Sequence, residues 1–457
     1  MASQRDLTNG PVWRGLAAVS APMTLGILGV LSVGLADAYF LGQLGEAPLA
    51  AVGYIYPVTT AITSLSIGLS AGANAAISQA IGRDEGKQSE QRLALHAVVL
   101  GLILGTLVAT IFYLTSEPLF RLIGAGDEVM VEIRKYIPYW TLSFPVLVVM
   151  MLSQATFRAH GDGATAAIVM VASAVINIAL TPLFIYGTGP APELGTGGAA
   201  LATLIARILG MAAALYWALH TRRLWWCGNP FKGIAGSIRK VVNVGGPAAL
   251  SNAINPAGMA AVTAAVATLG EASVAGFGAA TRVQSLVIVP MLALSAGIGP
   301  VVGQNWGADK KDRAARGLQW ALGFCFAYGV CVGTALLFFA TPIAALIAGE
   351  AGSATEQAAL YLRIVGLSLC GYGFVVVTNA AMNARDKALW SMSLSLGRIF
   401  IVYLPFAWLG VWLSGYMGVL LAAVAANVLG ALAAVWMASR TGLFNIEGLR
   451  NLKPATT

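Results

Sequence analysis

Long apolar runs recur along the whole chain and constrain its fold more than any other feature. Examples are residues 97–114, 165–186 and 318–342, each long enough for a helix to cross about 30 Å of hydrocarbon. Only 10% of the 457 residues are charged, against about 25% in soluble domains. The sequence therefore predicts an all-α polytopic membrane protein. It excludes a disordered chain, a disulfide scaffold, a coiled coil and a cytosolic enzyme, and it lacks the alternating strands of an outer-membrane barrel.

The distribution of basic residues predicts how the chain crosses the membrane. Twelve spans can be assigned, at 15–42, 49–81, 93–116, 130–157, 163–187, 197–220, 238–266, 274–303, 315–342, 356–384, 388–413 and 416–438. Of the 27 Lys and Arg residues, 20 lie in the loops that include both termini and 4 in the opposite loops. Because cytoplasmic loops carry the basic excess, we expect both termini in the cytoplasm and the protein in the inner membrane. The net charge of +8 then reflects topology, and no nucleic-acid partner is expected.

Residue patterns for catalysis or metal binding are not evident. The four cysteines show no CxxC spacing, which favours small apolar packing over a metal or redox role. No phosphate-binding Walker sequence, HExxH motif or catalytic Ser/His/Asp pattern can be found. The sequence therefore predicts a protein that is not an enzyme and that has neither a metal nor a cofactor, so transport driven by ATP has no residues to support it.

The chain repeats itself at an offset of 225 residues. Identical residues at this offset include Pro22 and Pro247, Gly53 and Gly278, Gln79 and Gln304, Gly82 and Gly307, and Ala159 and Ala384. Because each repeat holds six spans, both halves run through the membrane in the same direction, with a substrate site expected between them. The sequence predicts a first bundle at 1–221, a cytoplasmic linker at 222–239 with interfacial Trp225 and Trp226, and a second bundle with a short tail at 240–457.

Several motifs resemble those of the multidrug and toxic compound extrusion (MATE) transporters. Two related signatures lie at 68–82 and 294–308. VGLAD spans 33–37 in the first predicted helix, RAHGD spans 158–162 and GAALAT spans 198–203. The resemblance covers essentially the whole chain. It implies two bundles in a V shape and export of organic cations and lipophilic drugs in exchange for H⁺ or Na⁺. Where the family usually has a carboxylate after Asn177, this sequence has Thr181.

Asp37 is the strongest candidate for coupling transport to an ion gradient. Of the 19 acidic residues, it alone falls inside a predicted span. A carboxylate at membrane depth costs about 3 kcal/mol and is a functional candidate by default. Burial favours the neutral acid, so this group is suited to taking up and releasing a proton. The alternative is that Asp37 lies near the outer end of its helix and reaches water or caps a neighbour.

Three polar residues are expected to surround Asp37. Asn177 and Thr181 are four residues apart and share a helix face, and the resemblance adds Thr203. With threonine in place of a second carboxylate, the site has one formal negative charge, which favours H⁺ over Na⁺ as the coupling ion. The alternative for these three residues is interhelical hydrogen bonding that serves packing.

The first span also contains Pro22, Gly26, Gly29 and Gly34. Proline removes a backbone hydrogen bond and glycine weakens a helix, so this segment is suited to bending. The same composition is common in membrane helices, and packing is an equally good reading.

An aromatic and thioether wall for flat cations is predicted from residues of the fourth span. Its members would be Tyr136, Tyr139, Met151 and Phe157. Packing against lipid or in the core is the alternative.

The second half has two cations in its spans, Arg282 and Arg398, but no carboxylate in a span. These two residues, and Arg207 in the first half, are interpreted as snorkelling or capping helix ends rather than binding an anion. Without an acid, a second cation site is not expected there, which fits the DinF-like branch of the family. We therefore predict a monomeric antiporter for organic cations and drugs. The alternative is a lipid- or oligosaccharide-linked flippase, whose cavity would need several Arg and Lys residues.

Overall fold

The computed structural model describes residues 6–187, 191–224, 229, 231–349 and 352–444, and these contain helices and connections but no β-strand. Its α-helices are α1 (Val12–Gly42), α2 (Glu46–Gly82), α3 (Lys87–Leu122), α4 (Asp127–Ala159), α5 (Gly163–Tyr186), α6 (Thr196–His220), α7 (Ile234–Ala267), α8 (Glu271–Val287), α9 (Val289–Gly307), α10 (Lys311–Ala348), α11 (Ser353–Val365), α12 (Leu369–Ala384), α13 (Ala388–Leu396), α14 (Leu404–Ser414) and α15 (Tyr416–Arg440).

These helices occupy the positions of the twelve predicted spans. Within the described residues, ten segments are long and apolar enough to cross a membrane, and the bent pair α8–α9 makes an eleventh. In this count α11–α12 and α13–α14 each form one segment. The remaining predicted span, 238–266, corresponds to α7, which is 34 residues long but less apolar.

The connection between the two halves agrees only partly with the predicted linker. Helix α6 ends at His220 and α7 begins at Ile234, so residues 234–239 are helical. Residues 225–228, which include the predicted anchors Trp225 and Trp226, lie outside the described residues, as does the tail 445–457. The bundle boundaries themselves stay a prediction.

Each half has its own apolar core. In the first half, Trp140 stacks on Phe144 and meets Phe112 edge to face. In the second half, Phe277 packs edge to face on Tyr361, which is 3% exposed. Because lipid is as apolar as these side chains, close packing rather than exclusion from water holds such helices together.

The second half contains three interruptions of its helices. A bend of 43° separates α8 from α9, a 3₁₀ turn at Gly366–Ser368 separates α11 from α12, and a π-helix at Gly397–Tyr403 separates α13 from α14. The positions 225 residues earlier, near 63, 141–143 and 172–178, lie inside α2, α4 and α5, which are continuous. The halves therefore differ in backbone where their sequences correspond.

Glycines allow α2 to approach the second half closely. A β-carbon on Gly68 would lie 2.4 Å from the backbone nitrogen of Ala249, and one on Gly72 would lie 2.2 Å from the carbonyl oxygen of Val241. Larger residues would force the two helices apart. This packing places the first half directly against α7.

Two glutamines join the halves by a crosswise pair of hydrogen bonds. Gln79 Nε2 donates to the carbonyl oxygen of Ala384 at 2.8 Å, and Gln304 Nε2 donates to that of Ala159 at 2.7 Å. The two donors, Gln79 and Gln304, correspond to each other at the 225-residue offset, and so do the two acceptors, Ala159 and Ala384. Both bonds lie at the end of the molecule that carries the predicted cytoplasmic loops, so the halves are fastened together there.

Candidate functional site

The carboxylate of Asp37 lies on α1, five residues before the helix ends, and is partly exposed. Thr181 of α5 is fully buried, and its hydroxyl is 3.3 Å from Asp37 Oδ1 and 2.9 Å from the carbonyl oxygen of Asn177. A hydroxyl has a single hydrogen to donate. Thr181 can therefore donate either to the carboxylate or to its own helix.

The other two predicted residues extend this group. Asn177 Nδ2 donates to Thr203 Oγ1 at 2.9 Å, and that hydroxyl lies 3.0 Å from the carbonyl oxygen of Ala199. Asn177 Oδ1 is buried and accepts no hydrogen bond from the residues that the structure describes. The structure thus brings Asp37, Asn177, Thr181 and Thr203 together across α1, α5 and α6.

Arg207 is a member of the site that the sequence analysis missed. Its Nη1 donates to Ser143 Oγ at 2.6 Å, and its charge acts on Asp37 and Tyr136. It is partly buried, and Ser143 lies in the middle of α4, so the guanidinium bridges two helices instead of extending to a helix end as the snorkelling or capping interpretation requires. The available signal was its spacing, because Arg207 follows Thr203 by one helical turn and shares its face.

Small residues on α1 allow it to lie against α5. A β-carbon on Gly26 would lie 3.1 Å from Met170 Sδ, and one on Gly29 would lie 3.3 Å from the β-carbon of Ala174. This close packing brings Asp37 within reach of Thr181.

The remaining residues of the predicted bending segment show no break. α1 is continuous through Pro22, and Gly34 has open space around it. Bending on protonation stays a prediction.

The predicted aromatic wall does not form as one surface. Tyr136 is partly buried near Asp37, and Tyr139 is partly buried close to Gly197. Met151 and Phe157 follow Tyr136 on the same helix by 15 and 21 residues. At a rise of about 1.5 Å per residue, they lie roughly 22 and 31 Å farther along it.

Phe157 also has no surface to offer a ligand in this conformation. It is 0% exposed, and the Arg223 guanidinium lies 5.6 Å from its ring centre. The structure therefore gives it a packing role at the predicted cytoplasmic end. Only Tyr136 and Tyr139 remain placed to contact a substrate near Asp37.

The site suits a proton or one small cation rather than a transition metal. Within the described residues, no three His, Cys, Asp or Glu side chains gather as a metal site would require. The side-chain oxygens of this group include the Asp37 carboxylate, the hydroxyls of Thr181 and Thr203, and Asn177 Oδ1.

Two sets of membrane helices, related by an internal repeat and with the carboxylate of Asp37 within a predicted span of the first set, are the architecture of a membrane transporter. The MatE family model matches residues 22–183 and 247–409, two ranges that begin 225 residues apart. The chain belongs to the MATE family of membrane transporters. Its members are not enzymes, and the predicted all-helical V-shaped fold is confirmed. The assignment to the DinF-like branch stays a prediction.

Relatives with known names cover nearly the whole chain. The FAD transporter of Shewanella oneidensis is 33% identical over 444 residues, covering 96% of this chain and 97% of the relative. The multidrug export protein MepA of Staphylococcus aureus is 24% identical over 439 residues, covering 93% of each. Among solved structures, the MATE transporter VcmN of Vibrio cholerae in its bent form has a TM-score of 0.88 at 29% identity, covering 94% of this chain and 96% of that one.

Proposed function

We propose that the protein exports organic compounds across the inner membrane in exchange for protons, with Asp37 as the coupling residue. The observation that carries this proposal is the carboxylate itself, which accepts a hydrogen bond from the Thr181 hydroxyl and lies within electrostatic range of Arg207. A membrane-buried acid with polar partners is typical of proton relays in transporters.

The hydroxyl of Thr181 gives the two protonation states different hydrogen bonds. When Asp37 is ionised, Thr181 donates to its carboxylate. When Asp37 is protonated, its own O–H can donate to Thr181, and the threonine hydrogen returns to the carbonyl oxygen of Asn177. In each protonation state the hydroxyl hydrogens therefore have an acceptor. Protonation of Asp37 alters the hydrogen bond that joins α1 to α5.

Protons are favoured over sodium by the charges around the site. Hard cations prefer several oxygen ligands and are often bound by more than one carboxylate, whereas this group of described residues supplies a single carboxylate beside neutral hydroxyl, amide and carbonyl oxygens. The guanidinium of Arg207 acts on the same carboxylate and would repel a bound Na⁺. A proton needs only the carboxylate.

The test is transport by purified protein in liposomes. An imposed pH gradient in sodium-free buffer should drive ethidium movement, and an ionophore that dissipates the gradient should stop it. Transport that requires sodium and ignores the pH gradient would overturn proton coupling.

Two substrate classes have support from different observations. Lipophilic organic cations are favoured by the family resemblance and by relatives such as MepA. A flavin dinucleotide is the second candidate, favoured by 33% identity with an FAD transporter over nearly the whole chain. Counterflow in the same liposomes, with ethidium in one arm and FAD in the other, separates them. Activity only on polyprenyl-pyrophosphate lipids would instead support the flippase alternative.

A further inference from the structure

We propose that the second half holds a binding site for an oxyanion, centred on Arg398. The ligand would be the phosphate or carboxylate group of an aromatic organic molecule. This inference deepens the second candidate substrate class of the proposed export function. Its own test is a binding measurement, which does not depend on transport.

Arg398 lines a cavity of about 190 Å³ within the second half. The lining is rich in groups that can hydrogen-bond or stack, and includes Asn255, Gln284, Tyr361, Tyr372, Tyr403 and Asn427. Ser285 also lines the cavity and is exposed, so the cavity reaches the molecular surface. Pockets for whole drug-sized ligands are about 300–1,000 Å³. This one therefore fits the anionic end of a ligand, with the remainder extending outward.

The charge of Arg398 is buried without an acidic partner. The residue is 8% exposed. Its Nη2 donates to Asn255 Oδ1 at 2.7 Å, its Nη1 lies 3.5 Å from Asn427 Oδ1, and its guanidinium lies 5.3 Å from the centre of the Tyr372 ring. Its Nε has no hydrogen-bond partner, and no ion pair involves it among the described residues. The snorkelling interpretation of Arg398 is therefore wrong.

A lone buried cation is costly, because neutral amides satisfy its N–H groups but not its charge. The surroundings hold those amides in place, since Asn427 Nδ2 donates to Ser368 Oγ at 2.9 Å. Arginine binds phosphate and carboxylate groups through paired N–H donors. An anionic ligand would supply both the missing charge and an acceptor for the free Nε.

Three breaks in regular helix meet at this cavity. The π-helix Gly397–Tyr403 carries Arg398 itself, Val365 next to the 3₁₀ turn lines the cavity, and so does Ile288 at the bend between α8 and α9. π-helical segments are frequent at functional sites, and irregular backbone at membrane depth occurs where it is buried in protein or lines a cavity. Discontinuous helices form the binding sites of many transporters. The continuous helices of the first half show that the fold does not require these breaks.

Binding by the full-length protein in detergent tests this proposal without any gradient. Riboflavin and FMN form a matched pair that differs by one phosphate, and naphthalenemethanol and naphthoate form a pair that tests a carboxylate. We expect at least one anionic member to bind at least tenfold more tightly than its neutral partner. Arg398→Gln should reduce this preference to less than twofold. Arg282→Gln is the control, because Arg282 belongs to the same half but is exposed and does not line the cavity.

Equal affinity of the wild-type protein for both members of each pair would overturn the proposal, as would a preference that survives Arg398→Gln. If that variant does not fold, Arg398→Lys decides. It keeps the charge but loses the paired donors, so a several-fold loss of affinity for the anionic member alone supports the site, and unchanged affinity overturns it.

Thermal unfolding separates a ligand site from a structural arginine. Removing an uncompensated charge should leave the melting temperature of Arg398→Gln equal to or above that of the wild type. A lower melting temperature together with an unchanged affinity of Arg398→Lys for the anionic member would assign the residue to structure and overturn the proposal. Failure of pH-driven export would leave the binding preference untouched, so the two proposals can fail separately.

Discussion

In the proposed mechanism, a single proton on Asp37 would decide between two electrostatic arrangements. The ionised carboxylate would interact with the charge of Arg207 and accept from Thr181, whereas the neutral acid would lose the first interaction and reverse the second. Population shifts between two states require differences of a few kcal/mol, about 5.5 kcal/mol for a change from 1:99 to 99:1. The free energy of placing a charge at membrane depth is of that order.

Asp37→Asn should abolish coupled export while leaving the protein folded. The amide has the same shape but cannot carry a charge or exchange a proton. We expect normal amounts in the membrane and a fall of at least tenfold in ethidium transport driven by a pH gradient. Glu128→Gln is the control, since Glu128 is an exposed acid at the predicted outer end. Full pH-driven transport by Asp37→Asn would place the coupling site elsewhere.

Thr181→Ala should slow transport less than Asp37→Asn does. It removes one hydrogen bond to a charged group, worth about 1.5–3 kcal/mol, but keeps the carboxylate. We expect a fall of several-fold in the initial rate, measured across pH 5.5–8, together with a change in the pH profile. Thr181→Ser retains the hydroxyl and should stay close to the wild type. A serine variant as impaired as the alanine variant would argue against the hydrogen bond as the cause.

Among the elements, the start of α5 is held by a buried ion pair outside the membrane spans. Asp162 Oδ1 accepts from the Thr165 N–H at 3.0 Å, and Oδ2 lies 2.8 Å from both Thr165 Oγ1 and Arg223 Nη1. Burial raises the pKa of Asp162, but these hydrogen bonds and the Arg223 charge outweigh it and hold the pKa below 3.8. This pair joins the start of the helix carrying Asn177 and Thr181 to the segment after α6.

Asp162→Asn should lower the melting temperature at neutral pH. Breaking a buried pair leaves an unpaired cation, which costs about 3–5 kcal/mol. Because the folded pKa is depressed, this stabilisation is complete above about pH 3.8 and disappears as the pH falls through the lower folded value. The difference in melting temperature between Asp162→Asn and the wild type should therefore narrow only below about pH 3.8. Thermal unfolding from pH 7 to pH 3 measures this difference.

Asp127→Asn is the matched control for this measurement. Asp127 also pairs with an arginine, but its side chain is 90% exposed, and exposed pairs contribute about 0–1 kcal/mol. Equal effects of the two substitutions would show that burial of the Asp162–Arg223 pair is not what stabilises the start of α5.

Across the whole molecule, the crosswise hydrogen bonds of Gln79 and Gln304 fasten the halves at one end. Alternating access requires this end to open while the other closes. The two bonds must then break, along with the close contacts of Gly82 and Gly307 with the opposing glutamine carbonyls.

Replacing both glutamines by leucine should shift the protein towards the state that is open at this end. Each substitution leaves a backbone carbonyl of the opposite half without its hydrogen-bond donor. This destabilises the closed arrangement by about 1–3 kcal/mol. We expect greater labelling of a cysteine introduced at Ser78, next to Gly303 of the other half, by a reagent added to inside-out vesicles. Gln43→Leu is the control, since Gln43 bonds Tyr186 at the opposite end. Labelling unchanged from that control would show that these bonds do not hold the halves closed.

The sequence by itself determined the class of protein, the positions of the spans and the repeat, and it singled out Asp37 as the candidate coupling residue. Hydropathy is a local property summed over about 20 residues, and the cost of a charge in lipid does not depend on how the helices are arranged. The same reasoning grouped Asn177 and Thr181 on one helix face. These inferences needed only the composition and spacing along single helices.

Only the tertiary structure decided what lies opposite each of these faces. Arg207 comes within electrostatic range of Asp37 because α6 and α1 both pack against α5, and Phe157 is removed from the predicted wall by the length of α4. The π-helix around Arg398 also cannot be read from hydropathy, because a change from α to π hydrogen bonding depends on how neighbouring helices pack. Burial of Arg398 without an acid follows from contacts between residues more than 100 positions apart, and the separation of such residues in space is fixed only when the helices pack together.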